Sequence, residues 1–219
     1  MRDTLEVDSV ILEFGSKRVL QDVYLKSETG KVSGLLGRNG SGKSCLMRII
    51  YGELAPIDKS VRLNGQRIIQ AYRHPGNIRY LPQFRFIPES LSLRRIFRDF
   101  KLDFSDFTND FHEFEKYHNT RFKKLSGGEQ RLVQIYIILL SKTKFCLLDE
   151  PFSHVMPVHV EAIKKLIVRE KENKGIIITD HLYQHIIDIC DSLYVISNGK
   201  THLTKSLNEL ETLGYASLD

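Results

Sequence analysis

The chain of 219 residues has no tryptophan, only 3 cysteines and 6 prolines, and no long apolar run. Its longest such stretch, Ile135 to Leu140, falls far short of the roughly 20 residues a membrane-spanning helix needs. No basic start followed by an apolar block marks a secretory leader. The expectation is a soluble chain that stays in the cytoplasm. Cys45, Cys146 and Cys190 are odd in number, widely separated and without metal-ligand spacing, so they read as reduced thiols. Basic blocks interleaved with stacking aromatics are also missing, as are zinc and helix-turn-helix patterns. The net charge of +5 arises from 32 basic residues scattered among 27 acidic ones, which suits an anionic surface but does not indicate nucleic acid. What remains, 42% hydrophobic and 27% charged residues, is ordinary globular composition in a length that buries a sizeable core.

The chain falls into regions of different periodicity. Thr4 to Phe14 and Val19 to Lys26 are β-branched and alternating, which predicts two antiparallel strands separated at Gly15. A buried strand, Val32 to Leu36, runs through glycines into a helix from Ser44 to Tyr51. Asn64-Gly65 predicts a hairpin with Arg67 to Ala71 as its returning strand, followed by a short strand at Ile78 to Leu81. From Phe84 to Lys124, Phe97, Phe100, Phe104, Phe107, Phe111 and Phe114 recur at helical spacing, as in a lobe of short helices with an aromatic core. After Gly128, helices and strands alternate: helices at Gly128 to Leu140, Val158 to Lys171 and Leu182 to Cys190, strands at Lys144 to Leu148, Gly175 to Thr179 and Ser192 to Ile196. This predicts a parallel sheet covered by helices, closed by a turn at Asn198-Gly199 and a short helix near Leu207.

Three segments carry chemistry. Gly37-Arg38-Asn39-Gly40-Ser41-Gly42-Lys43-Ser44, between a buried strand and a helix, fits a phosphate-binding loop. Its glycines let the backbone approach phosphate oxygens, and the helix N-terminus adds positive partial charge. Lys43 would reach the β and γ phosphates, and the Ser44 hydroxyl would be a ligand to Mg²⁺. Cys45, next in line, is open to alkylation in principle, though a small packed residue is the plainer reading. Phe145 to Glu150 is an apolar strand ending in two carboxylates, placed where a sheet's carboxyl edge meets ligand. Asp149 could accept from a water on Mg²⁺, and Glu150 could act as general base toward the attacking water. Leu125-Ser126-Gly127-Gly128-Glu129-Gln130 offers either a second anion site or a capping box, Ser126 with Glu129 three residues on.

In this order the motifs resemble the ATP-binding cassette (ABC) ATPases, with Gln83 after a short strand and His181 after a later one filling the remaining places. The resemblance covers about Leu5 to Leu210. It implies an α/β phosphate-loop NTPase fold: one cassette over residues 1–219 with a parallel core sheet, an antiparallel β subdomain (about 1–31 and 58–72) and a helical subdomain (about 84–127). It also implies an ATPase with ATP and Mg²⁺ as its ligands, powering transport through separate membrane permease subunits from the inner face of the membrane. Two cassettes would pair head to tail, so that Ser126, Gly127 and Gly128 act on the partner's ATP. Phe14 matches the family's adenine-stacking aromatic. Gln83 would touch Mg²⁺ and the attacking water, and His181 the γ phosphate. A groove near Phe84, Phe86 and Leu91 would receive a permease helix.

One segment departs from the family pattern. After Glu150 and Pro151, the usual small residue, leucine and aspartate are replaced by His154, Val155 and Met156. That puts coupling between the paired sites in doubt. Two other readings stay open at this stage: a soluble ABC ATPase acting in cofactor assembly or repair, and a regulatory nucleotide-binding subunit with little hydrolysis.

Overall fold

The computed structural model describes residues 2–204 apart from 182; the helix expected near Leu207 lies outside them. Strand β1 (Thr4–Phe14) alternates buried and partly exposed side chains, as a strand with one face on a core does. It pairs antiparallel with β2 (Lys17–Leu20), β3 (Tyr24–Glu28) and β5 (Asp58–Leu63). The strand expected from Val19 to Lys26 is therefore two. Asp22, at a φ of 52°, turns the chain between them. The Asn64-Gly65 hairpin forms, with φ of 52° and 77° at its two residues. Its returning strand, β6, is only Gln66–Arg67, and Ala71–Arg73 is a 3₁₀ turn rather than the end of a strand. One more backbone bond follows, from the Ile68 N–H to the Val61 carbonyl at 2.7 Å; beyond it the Ile69 carbonyl accepts from Lys59 Nζ at 3.2 Å, so a side chain and not a strand meets the chain there.

The second sheet carries the site. β4 (Val32–Gly37) leads to helix α1 (Lys43–Tyr51), and β7 (Ile78–Leu81) to α2 (Leu93–Phe100) and α3 (Phe104–Asp110). After 3₁₀ turns at His112–Tyr117 and Phe122–Lys124 come α4 (Gly127–Leu140), β8 (Phe145–Asp149), α5 (Pro157–Glu170), β9 (Gly175–Thr179), α6 (Tyr183–Ile187), β10 (Ser192–Ser197) and β11 (Lys200–Thr204). Among the described residues the order is β11-β10-β4-β9-β8-β7, parallel throughout except β11. β4, β8 and β9 are buried along their whole length, because apolar layers cover both faces. On one face Leu35, Leu147 and Ile177 meet α1 and the antiparallel sheet; on the other, Leu148 and Ile178 meet α4 and α5. No described helix is long and apolar enough to cross a membrane.

This arrangement brings the carboxyl ends of β4, β7, β8 and β9 to one edge. There the chain runs on into the phosphate loop, Gln83, Glu150 and His181.

The phenylalanines expected to form a core do so, but from several short elements. Phe107 on α3 lies 5.1 Å from Phe97, 4.8 Å from Phe114 and 4.8 Å from Tyr136 of α4, ring centre to ring centre. It is fully buried. Phe107→Ala is expected to lower unfolding free energy by about 3–5 kcal/mol, measured by urea titration. A loss under about 1 kcal/mol would show that the ring does not anchor the segment to α4.

Candidate active site

The phosphate loop owes its shape to backbone constraints. Gly42, the residue preceding α1, has a φ of 103°, and a Cβ there would come within 2.8 Å of Leu20 Cδ2. No side chain caps α1 at its start, so its first N–H groups are left for an anion. Lys43 Nζ donates to the carbonyls of Gly37 at 2.7 Å and Arg38 at 3.2 Å, curling over its own loop. Burial lowers the Lys43 pKa, while the carboxylates of Glu150, Asp149 and Asp180 oppose the shift. Ser41 Oγ is buried with no hydrogen-bond partner among the described residues, an orphan hydroxyl in a loop suited to phosphate.

Beside the loop, Asp149 has no exposed surface. Its Oδ2 accepts from Tyr80 Oη at 3.0 Å, and its Oδ1 accepts from Ser44 Oγ at 3.1 Å and Gln83 Nε2 at 3.3 Å. Gln83 Nε2 also donates to Ser44 Oγ at 2.9 Å. Burial pushes the Asp149 pKa up; the bonds from Tyr80, Ser44 and Gln83 pull it back. Burial also raises the Tyr80 phenol well above its ordinary value, which keeps it a donor.

Glu150 turns away from the strand at a φ of 49°. Its Oε2 accepts from Ser153 Oγ at 3.3 Å and lies 3.7 Å from His181 Nδ1. His181 Nδ1 is 3.3 Å from Asp180 Oδ1, whose other oxygen accepts from the Phe152 N–H at 3.0 Å. Thus Asp180 ties the loop after Glu150 to the end of β9.

A cavity of about 680 Å³ draws many of the sequence-predicted residues together. Phe14, Asn39, Gly40, Gly42, Lys43, Ser44 and Cys45 line it on one side, Gln83, Glu150 and His181 on the other. Phe14 is 54% exposed there, an aromatic face available for stacking. The Cys45 thiol is pushed up by burial, which favours the packed reading over a reactive one. Gly37, Arg38 and Ser41 complete the loop without lining the cavity, and Asp149 sits beneath it. Ser126, Gly127 and Gly128 do not line it. They begin α4, where Ser126 Oγ accepts from the Glu129 N–H at 3.3 Å and Glu129 Oε2 accepts from the Ser126 N–H at 2.7 Å, so the capping box is real.

Two residues went unnoticed in the sequence. Tyr80 was hidden in an ordinary β pattern. Arg131 on α4 donates through Nη1 to the Pro82 carbonyl at 2.7 Å and through Nη2 to those of Asp149 at 2.8 Å and Glu150 at 2.9 Å. Burial pushes its pKa down to about 10, still protonated at neutral pH. A single cation beside Leu132 and Val133, near the start of a largely apolar helix, was its only signal.

The family model described as ABC transporter matches residues 20–153, more than half of the chain. Among curated proteins, the lipopolysaccharide export system ATP-binding protein LptB of Haemophilus influenzae is 30% identical over 211 residues, covering 90% of this chain and 88% of that one. An uncharacterized ABC transporter ATP-binding protein of Bacillus subtilis, YhaQ, is 28% identical over 220 residues, 94% of this chain and 72% of that one. Among solved structures, an ATP-binding subunit of an ABC transporter superposes with a TM-score of 0.81 over 98% of this chain and 95% of that one, at 24% identity. A bacterial Atm1-family ABC exporter with ATP bound gives 0.83 at 18% identity, covering 98% of this chain and 41% of that one. At such identities these structures establish the fold.

Arg131 yields a test independent of any assignment of catalytic roles. Arg131→Met keeps the stem and removes donors from three carbonyls, with an expected stability loss of about 2–4 kcal/mol in thermal or urea unfolding. Unchanged stability would mean that those carbonyls find other partners.

Proposed function

The chain belongs to the ABC transporter family as an ATP-binding, ATP-hydrolysing subunit, and we propose that its cavity performs hydrolysis through Glu150, His181, Lys43 and Gln83. The observation that carries this reading is the convergence of the phosphate loop, Gln83, Glu150 and His181 on one cavity from four separate strands. Phe14 stacks on the adenine, and the N–H groups of Gly37 to Ser44 and Cys45 receive the phosphates. Lys43 exchanges its two loop carbonyls for β- and γ-phosphate oxygens. Glu150 accepts the proton of the attacking water, while His181 positions that water and the γ phosphate.

Ser44, Asp149 and Gln83 fit a Mg²⁺ ion. Asp149 Oδ1 and Ser44 Oγ already face one another, and no described cluster of three or more His, Cys, Asp or Glu residues offers a metal cage. A single carboxylate with a hydroxyl suits an ion that completes its shell with phosphate oxygens and water. Gln83 now donates to both oxygens; its amide carries an acceptor as well, which could face the ion directly or through water. The chemistry such an ion supplies when bound is neutralisation of charge on the β and γ phosphates.

Ser126 and Gly127 are exposed and lie outside their own chain's cavity, which supports a role across a head-to-tail pair of cassettes. The pair would sit on permease subunits at the cytoplasmic face of the membrane, with residues of about 84–127 as the helical subdomain and about 1–31 and 58–72 as the antiparallel one. Of the three residues expected in the permease groove, Phe84 is 57% exposed, whereas Phe86 and Leu91 pack partly on the core. Phe84, next to Gln83, is the better candidate for contact.

In the altered loop, His154 has a φ of 63° and Met156 is 49% exposed beside the start of α4. Met156 stands at the N-cap of α5, where a carboxylate could accept from that helix's first N–H groups or bond across the pair; a methionine does neither.

Glu150→Gln is expected to retain ATP binding, cut steady-state phosphate release by at least about 100-fold and shift the protein to a dimer with ATP in size-exclusion chromatography. Unaltered turnover would remove Glu150 from the role of base. Met156→Asp is expected to change the Hill coefficient of ATP hydrolysis; an identical curve would show the replacement to be silent.

A further inference from the structure

At the opposite edge of the parallel sheet, beside the amino ends of β7, β8 and β9, lies a second cavity of about 710 Å³ that shares no lining residue with the first. Arg79 projects into its wall. The Arg79 Nε is buried and has no hydrogen-bond partner among the described residues, and the guanidinium lies 5.5 Å over the ring of Phe100. The residue as a whole is only half-buried, so the rest of its fork, shaped for a planar or tetrahedral oxyanion, is what the cavity can reach.

The charge around it is not balanced. Lys101 and Lys142 also line the cavity, and neither they nor Arg79 forms an ion pair among the described residues. The two carboxylates at its rim are already paired, Asp3 with a further cation of the same lining, Lys144. Asp3 accepts from Lys144 at 2.8 Å and Asn64 Nδ2 at 2.6 Å, and Asp99 pairs with Arg95 at 2.7 Å. Near the end of α4, the carbonyl of Leu139 and that of Ser141, the residue after the helix, accept from Lys174 Nζ, a cation outside the cavity lining. The rest of the wall is mixed: Phe100, Leu102 and Leu140 form an apolar part, and Thr29, Ser141, Thr143 and Asn173 a polar one.

We propose that this cavity binds a phosphomonoester, with its phosphate on Arg79, Lys101 and Lys142 and its organic body against Phe100, Leu102 and Leu140. The same headgroup chemistry occurs in soluble esters and in phosphatidic acid. The site is independent of the ATPase assignment.

The test uses phenyl phosphate as soluble probe, titrated calorimetrically into the full chain carrying Lys43→Ala to weaken the phosphate loop. Saturable binding is expected, weakened at least about tenfold by Arg79→Met and less by Arg79→Lys. Phosphatidylcholine vesicles with and without phosphatidic acid form the second arm, read by co-sedimentation. Arg79-dependent sedimentation supports a lipid source, and Arg79-dependent binding of phenyl phosphate alone supports a soluble one. Absence of both, or equal binding in Arg79→Met, overturns the proposal. If Arg79→Met fails to fold by circular dichroism, the exposed Lys101→Ala and Lys142→Ala carry the comparison, and equal binding in both overturns it.

Discussion

A carboxylate without exposed surface stands at the end of an entirely buried strand. Removing a charge from water costs several kcal/mol unless partners meet it, so Asp149 can exist there only if neighbouring elements bring it donors. They come from α1 through Ser44, from β7 through Tyr80 and from the segment after β7 through Gln83. Two of these donors, Ser44 and Gln83, also line the cavity. The desolvation of one side chain therefore ties together the phosphate loop, the edge strand β7 and the segment that carries Gln83.

The sheet that carries Asp149 divides two apolar layers. One joins it to α1 and the antiparallel sheet, the other to α4, α5 and the aromatic segment. That segment is fastened in two chemically different ways. Phe107 packs on Tyr136 of α4, whereas polar side chains link it to α5: His159 Nε2 lies 2.8 Å from Glu113 Oε1, and Arg169 pairs with Asp110 at 3.1 Å. Buried rings hold by area and shape, and pairs with exposed partners hold weakly. The anchoring to α4 is thus the stronger, and α4 is also the helix whose first turn holds Ser126 and Gly127.

Much of this was legible before any coordinates. The phosphate loop, the strand ending in Asp149-Glu150 and the Asn64-Gly65 hairpin each follow from local chemistry, because the residue types needed are adjacent in the chain. The strand from Val19 to Lys26 was misread because Asp22 tolerates the left-handed region without being glycine, and composition does not announce that. The returning strand to Ala71 stops early: after the Ile68 N–H bonds to Val61, the Ile69 carbonyl meets the Lys59 side chain, a contact that no local pattern shows. Arg131 and Tyr80 escaped because their partners are distant in sequence, and one of Arg131's lies 49 residues away. Side chains that bond to distant backbone carry no local pattern.

Arg131 also explains how two consecutive carboxylates come to occupy different environments. In a regular strand, neighbouring side chains point to opposite faces, which would place Glu150 away from the cavity if Asp149 kept its own position. Instead the chain leaves the strand geometry at Glu150, with a φ of 49° that costs a non-glycine residue free energy and must be held by its surroundings. Arg131 holds it from below by taking the carbonyls of both residues, and the Glu150 N–H donates to the Thr179 carbonyl at 2.7 Å from β9. With the peptide fixed on both sides, Asp149 stays buried among donors while Glu150 reaches the cavity beside His181. The motif supplies the two carboxylates; their different environments come from a guanidinium on another helix.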